Sequence, residues 1–202
     1  MTGSSTWSNA NELARTVESQ GFSGMLYTET GQVPWMQIAA AAMAAPSLTF
    51  TTGIAVAFPR SPMVSAQVAW ELAGETHGKF RLGLGSQVKG HVVRRYSADF
   101  DKPARRLLDY VLAVKACFRA FRGEERLHHE GEFYNLSLLP DAWKPRSHDF
   151  GEIKVDISSV GPLMNRVAGH VADGVHVHPM HSMHYIQHRL TSKLHHPQLQ
   201  HR

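Results

Sequence analysis

The chain has 202 residues, 43% of them hydrophobic, with 21 Lys and Arg against 17 Asp and Glu. That length suffices for one domain with a substantial core. The nearly even charge balance, with Arg94-Arg95 and Arg105-Arg106 as its densest basic pairs, gives no footprint for a nucleic acid. A single cysteine, Cys117, excludes an intramolecular disulfide and fits a reducing compartment. The polar N-terminus "MTGSSTWSNANELART" lacks the apolar core of a signal peptide, and no apolar run approaches the roughly 20 residues of a membrane span. A cytoplasmic protein without membrane or nucleic-acid partners is expected.

A helix is expected from about Asn9 to Gln20, followed by a strand in "FSGMLYT". Pro34 stands where the first turn of a second helix belongs, ahead of the Ala-rich "WMQIAAAAMAA". The β-branched run "LTFTTGIAVA" reads as a strand stopped by Pro59 and Pro62, and a helix over Met63 to Glu75 leads to the strand "FRLGLG". The next helix is expected to open at Pro103. In it Leu107, Val111, Val114, Phe118 and Phe121 recur at spacings of four and three, one apolar stripe that must pack. Cys117 in that helix reads as a small core hydrophobe. Residues 123–151 read as a long connection with a strand-like "EFYNL". The pattern then resumes with "IKVDISS" as strand, "PLMNRVAGHVA" as helix, "GVHVH" as strand, and a last helix from about Met183 to Leu194. Alternating strands and helices indicate an α/β fold of parallel strands joined by right-handed crossovers, in one domain over 1–202 with an irregular tail at 189–202.

Gly83, Gly85 and Gly90 in "KFRLGLGSQVKGHVVRRY" are spaced G-x-G-x-x-x-x-G, and no helix is expected directly after them. A dinucleotide-binding turn needs G-x-G-x-x-G running straight into a helix, so the motif fails on spacing and context. Gly74, Gly78 and Lys79 fail the phosphate-loop pattern, with Phe80 where a hydroxyl is required. The glycines therefore mark a bend or a close approach to the backbone. Gly161 and Pro162 in "SSVGPLMNRVAG" put free N–H groups at a helix N-terminus, which attracts anions, and Ser158 and Ser159 are candidate hydroxyl donors. His176, His178, His181 and His184 lack the strong spacings of a zinc site, so no metal is expected. No G-x-S-x-G elbow nominates a nucleophilic serine.

"GFSGMLYTE", "TTGIAVAFPRSPMVSAQVAWEL", "GKFRLGLGSQVKG" and "VGPLMNRVAGHVADGVHVHP", in this order over residues 10–181, resemble the luciferase-like family of flavin- and deazaflavin-dependent oxidoreductases. The resemblance implies a TIM-type (β/α)8 barrel, with the deazaflavin coenzyme F420, or alternatively FMN, on its C-terminal rim and hydride passing to or from a small-molecule substrate. It implies that Glu29 lies beside the ring. Ala55 and Val56 would form the bulged segment backing it, often a non-proline cis peptide in this family. Gly83, Gly85 and Ser86 would border the pocket, Gly161, Pro162 and Leu163 would receive the cofactor phosphate, and Lys89, Arg94 and Arg95 would lie on a rim loop.

The sequence departs from that pattern in several places. Thr30 and Gly31 stand where a catalytic histidine is common, and Gln87, Val88 and Lys89 where a carboxylate sometimes follows, which leaves the proton-transfer residue unassigned. A complete barrel takes about 250 residues. Five or six strands are expected here, an incomplete barrel whose open edge implies instability, homodimerisation or a truncated product. In "IKVDISS", Lys154, Asp156 and Ser158 alternate with Ile153, Val155 and Ile157, whereas a strand buried on both faces reads apolar throughout. A non-catalytic remnant that binds flavin or a partner without turnover is the alternative reading.

Overall fold

Thr6 opens the first helix: its hydroxyl accepts a hydrogen bond from the Asn9 N–H, and α1 runs Trp7–Ser19, two residues earlier than its apolar pattern indicates. In the computed structural model, which describes residues 5–190, the chain continues through β1 (Gly24–Tyr27) and α2 (Pro34–Ala44), with Pro34 in the first turn as expected. The single strand expected in "LTFTTGIAVA" is two, β2 (Thr49–Thr52) and β3 (Ala55–Val56), separated by a cis peptide bond between Gly53 and Ile54. The cis bond thus precedes Ala55-Val56, the pair on which the resemblance sets it. Ser61 caps α3 (Pro62–Glu75), which feeds β4 (Phe80–Gly85).

Residues 89–94, read from the sequence as part of a loop, form a short helix, α4 (Lys89–Arg94), anchored by the buried Val92. Six residues with Gly90 among them are too few to show a helical period. Helix α5 (Pro103–Phe121) buries every member of its stripe: Leu107, Val111, Val114, Phe118 and Phe121. At roughly 1.5–3 kcal/mol per large apolar side chain, this is the main hydrophobic contribution of any one helix. The long connection holds a small antiparallel pair, β5 (His129–Glu130) with β6 (Asn135–Leu136), fastened to α5 through Asp109. Then come β7 (Lys154–Ser158), α6 (Pro162–Val171), β8 (Gly174–His176) and one turn, α7 (Met183–Tyr185), that passes into a π-helical turn over Ile186–Leu190. The remainder of the expected last helix and of the tail lies outside the described residues.

Five parallel strands hydrogen-bond in the order β1-β2-β4-β7-β8, with β3 continuing the line of β2 against β4. The sheet curls into half a barrel, with the larger helices on its convex face. Phe50, Phe80, Leu82, Leu84, Val155 and Ile157 point into that helical layer and are essentially inaccessible. The alternate residues line the concave face: Leu26 of β1, Thr51 of β2, Arg81 and Gly83 of β4, Lys154 and Asp156 of β7, Gly174 and His176 of β8. This resolves the polar alternation of "IKVDISS". Its charged positions face a concave side that is polar in every strand but β1, and Asp156 is neutralised there by Arg81.

Candidate functional site

Parallel strands end together, so their C-terminal residues and the loops that follow share one rim. Val56 pairs with Gly85, Leu84 with Ile157 and Ser158 with His176, so Val56, Gly85, Ser158 and His176 stand on one rung at that rim. Two of the residues expected to bed a cofactor are therefore neighbours of a histidine that the sequence offered only as a metal-ligand candidate.

Glu29 follows β1 and is buried with its side chain 2% exposed. Its Oε2 accepts from the Val56 N–H and from Arg60 Nη1, both at 2.8 Å. Its Oε1 accepts from Arg60 Nη2 at 2.6 Å and from the Tyr96 hydroxyl at 3.2 Å. Arg60 in turn donates to the Val56 carbonyl at 2.8 Å, so one buried carboxylate ties β1 to the segment after the bulge. Burial, then the Glu29 charge, raises the pKa of Tyr96. Arg95 donates to the Thr30 carbonyl, which fixes the α4 region over the end of β1. Glu29 thus builds the wall behind the rim. Sequence reading missed Arg60 and Tyr96 because they stand 31 and 67 residues from it.

Thr52 replaces a backbone bond where β2 leaves the ladder. Its hydroxyl donates to the Gly83 carbonyl at 2.7 Å and accepts from the Gly83 N–H at 2.9 Å. Gly83 is required by what lies over it: a Cβ there would strike the Thr52 carbonyl and stand 2.5 Å from Nε2 of His176. At Gly85 a Cβ would stand 2.8 Å from the Ile54 side chain, so the glycines mark a backbone that its neighbours approach closely. Ser86 is half-buried, and its hydroxyl donates to the Gln87 carbonyl at 3.3 Å.

Below the rim, Arg81 forks onto Asp156, Nε to Oδ2 at 2.8 Å and Nη2 to Oδ1 at 2.5 Å. His176 Nε2 lies 3.8 Å from Asp156 Oδ2 and is buried without a hydrogen-bond partner. Desolvation lowers the His176 pKa, Asp156 opposes that shift and Arg81 adds to it. A second orphaned buried atom, Thr28 Oγ1, lies just past the end of β1.

Helix α6 begins at Pro162 with Gly161 as its N-cap and no side-chain cap, and a Cβ at Gly161 would meet nothing within 4 Å. Pro162 and Leu163 are exposed beside it. The first turn therefore presents donors and the positive end of the helix dipole to open space. Of the two serines expected to assist, Ser159 is fully buried and donates to Asn165 Oδ1, while Ser158 stays on the rim rung. His178 accepts from the Met180 N–H at 3.2 Å. Among the described residues no three metal-binding side chains converge. Cys117 is buried in the helical layer, and desolvation pushes its thiol up to about 12.

A curled parallel α/β sheet with glycines on its rim and an open helix N-terminus beside them is the architecture of half a (β/α)8 barrel. The chain belongs to the luciferase-like monooxygenase family, whose sequence profile matches residues 1–193. An uncharacterized protein of Mycobacterium tuberculosis is 36% identical over 182 residues, 87% of this chain and 54% of that protein, so the chain spans about half the length of the curated relatives it matches. Two solved structures share the fold. An F420-dependent secondary alcohol dehydrogenase, in complex with an F420-acetone adduct, superposes with a TM-score of 0.78 at 17% identity, covering 94% of this chain and 59% of that one. The oxygenating constituent of 3,6-diketocamphane monooxygenase from Pseudomonas putida, in complex with FMN, gives 0.63 at 17% identity, covering 83% and 52%. Among the described residues no helix is long and apolar enough to cross a membrane.

Proposed function

We propose that the chain is the cofactor-binding part of a deazaflavin-dependent oxidoreductase, in which hydride passes between coenzyme F420 and a small organic substrate. The observation that carries this reading is the uncapped N-terminus of α6 at Gly161, Pro162 and Leu163, open above Gly161 and next to the rim rung of Val56, Gly85 and Ser158. A phosphate needs such donors and a ring needs such a flat backbone bed. Thr28 Oγ1 just past β1 and His176 Nε2 below the rim, both buried without partners, fit a polar group arriving from outside the chain.

Each residue has a defined part. The α6 N-terminus holds the phosphate, Gly85 and Ser86 border the ring, and the Gly53–Val56 bulge backs it. Glu29 fixes that bulge through the Val56 N–H and Arg60. When bound, the cofactor supplies a two-electron hydride acceptor or donor. F420 is preferred to FMN on the sequence pieces "GIAVAFPRSP" and "GSQVKGHVVRRY"; a solved relative of the same fold carries each. The experiment is a fluorescence titration of the purified chain with F420 and, separately, with FMN. Saturable binding of F420 at micromolar concentration, weaker for FMN, is expected; no fluorescence change with either overturns the reading. A second reading, cofactor or partner binding without turnover, is favoured by the full engagement of Glu29, which leaves it no proton role. Turnover of any substrate with added cofactor removes that alternative.

A further inference from the structure

We propose that His176 is the proton-transfer residue of this rim, exchanging a proton through Nε2 with the bound reactants. The inference rests on the hydride-transfer reading above. His176 ends β8 on the rung that carries Gly85 and Ser158, on the concave face. Its ring reaches over Gly83, where the missing side chain leaves the notch that the imidazole occupies. Nε2 is buried and has no partner, and the nearest carboxylate oxygen, at 3.8 Å, is beyond hydrogen-bond reach.

Of the other polar groups around the rim, Thr28 Oγ1 is also without a partner but is a hydroxyl, too weak a base to take a proton near pH 7, and three more are committed. Glu29 holds Arg60, the Val56 N–H and Tyr96; the Thr52 hydroxyl is shared by the N–H and carbonyl of Gly83; Ser159 is bonded to Asn165. The charged groups that face His176 are Asp156 from β7 and Arg81 from β4, and they are forked onto each other. From the end of β2 the Thr52 carbonyl borders the notch, and the Thr52 hydroxyl is bonded to Gly83 beneath it. A carboxylate so neutralised favours imidazolium only weakly, and burial keeps the ring neutral near pH 7, the form a base requires.

For oxidation of an alcohol the balance is complete. An oxidised deazaflavin, when bound, would accept the hydride of the carbinol carbon with both electrons of its C–H bond. The hydroxyl proton passes to Nε2, a C=O bond forms, and the imidazolium then returns its proton to solvent. In the reverse direction the same nitrogen supplies the proton.

The test uses ¹³C- and ¹⁵N-labelled chain with the His176 ring signals assigned through its own backbone, with F420 as ligand and 2-propanol as the alcohol. In the unliganded wild type His176 is expected to titrate below ordinary imidazole, and saturating F420 moves its midpoint by half a pH unit or more. His176→Gln is expected to bind F420 within about three-fold of wild type, and to lose roughly 100-fold or more in rate together with the acid limb of the pH profile. F420 that binds without moving the His176 midpoint overturns the inference, whether or not 2-propanol is turned over, and so does a His176→Gln rate within three-fold of wild type. Failure of wild-type chain to bind F420 or FMN is the separate result that overturns the cofactor reading itself.

Discussion

Glu29→Gln separates a structural clamp from a cofactor contact. The carboxylate is 2% exposed and Arg60 16%, and the two are joined through both oxygens. The substitution keeps the shape but removes the charge, and turns an amide NH2 toward either the Val56 N–H or the Arg60 guanidinium. Breaking a buried ion pair by removing one partner costs about 3–5 kcal/mol, and the residual exposure of Arg60 argues for the lower end, ~3 kcal/mol. In a chain of this size each kcal/mol moves the midpoint by about 2–4 °C, so Tm should fall by roughly 6–12 °C. Thermal unfolding followed by circular dichroism measures this, with F420 fluorescence run in parallel. The double variant Glu29→Gln, Arg60→Met, which removes the stranded cation, should recover a large part of the loss. A Tm within about 1 °C of wild type would refute the clamp, and if F420 binding were lost at that unchanged Tm, Glu29 would be a ligand contact alone.

Gly83→Ala sets a methyl against the Thr52 carbonyl, a backbone atom that cannot rotate away, and should cost about 1–3 kcal/mol in urea unfolding and displace the His176 ring; unchanged stability and an unchanged His176 signal would contradict that packing. Asp109 accepts from His129 Nε2 at 2.7 Å, from the Phe133 N–H at 2.6 Å and from the Tyr134 N–H at 3.1 Å. Asp109→Ala should therefore release the β5–β6 hairpin, seen as faster hydrogen exchange over residues 129–136 with α5 still protected. Cys117 should resist a thiol reagent at pH 8 in the native chain and react fully once unfolded. Its raised native pKa of about 12 means that the unfolded state loses this proton first. Stability should accordingly fall as pH rises from about 9 toward 12, and thiol labelling of native chain at pH 8 would count against the burial. His176 has the opposite sign: its lowered native pKa contributes stability above the ordinary imidazole range that is lost as pH falls through the native value.

The sequence determined what depends on local spacing. The stripe of α5, the Pro-opened α2 and α5, the five parallel strands and the Gly161 helix start are all carried by periods and punctuation within a few residues of each other. The motifs in order also identified the family and the half-barrel. Tertiary structure alone decided the contents of the rim. Glu29 meets Arg60 across 31 residues and Arg81 meets Asp156 across 75. The first pairing turns a candidate ring contact into a wall clamp. The second explains the charges in "IKVDISS", since alternation shows that two faces differ but not that a cation waits opposite one of them. His176 changed most, from a candidate metal ligand near a His-rich end to an unpartnered imidazole nitrogen beside the rim rung, because strand register, which no spacing along the chain encodes, sets it beside Ser158 and over Gly83.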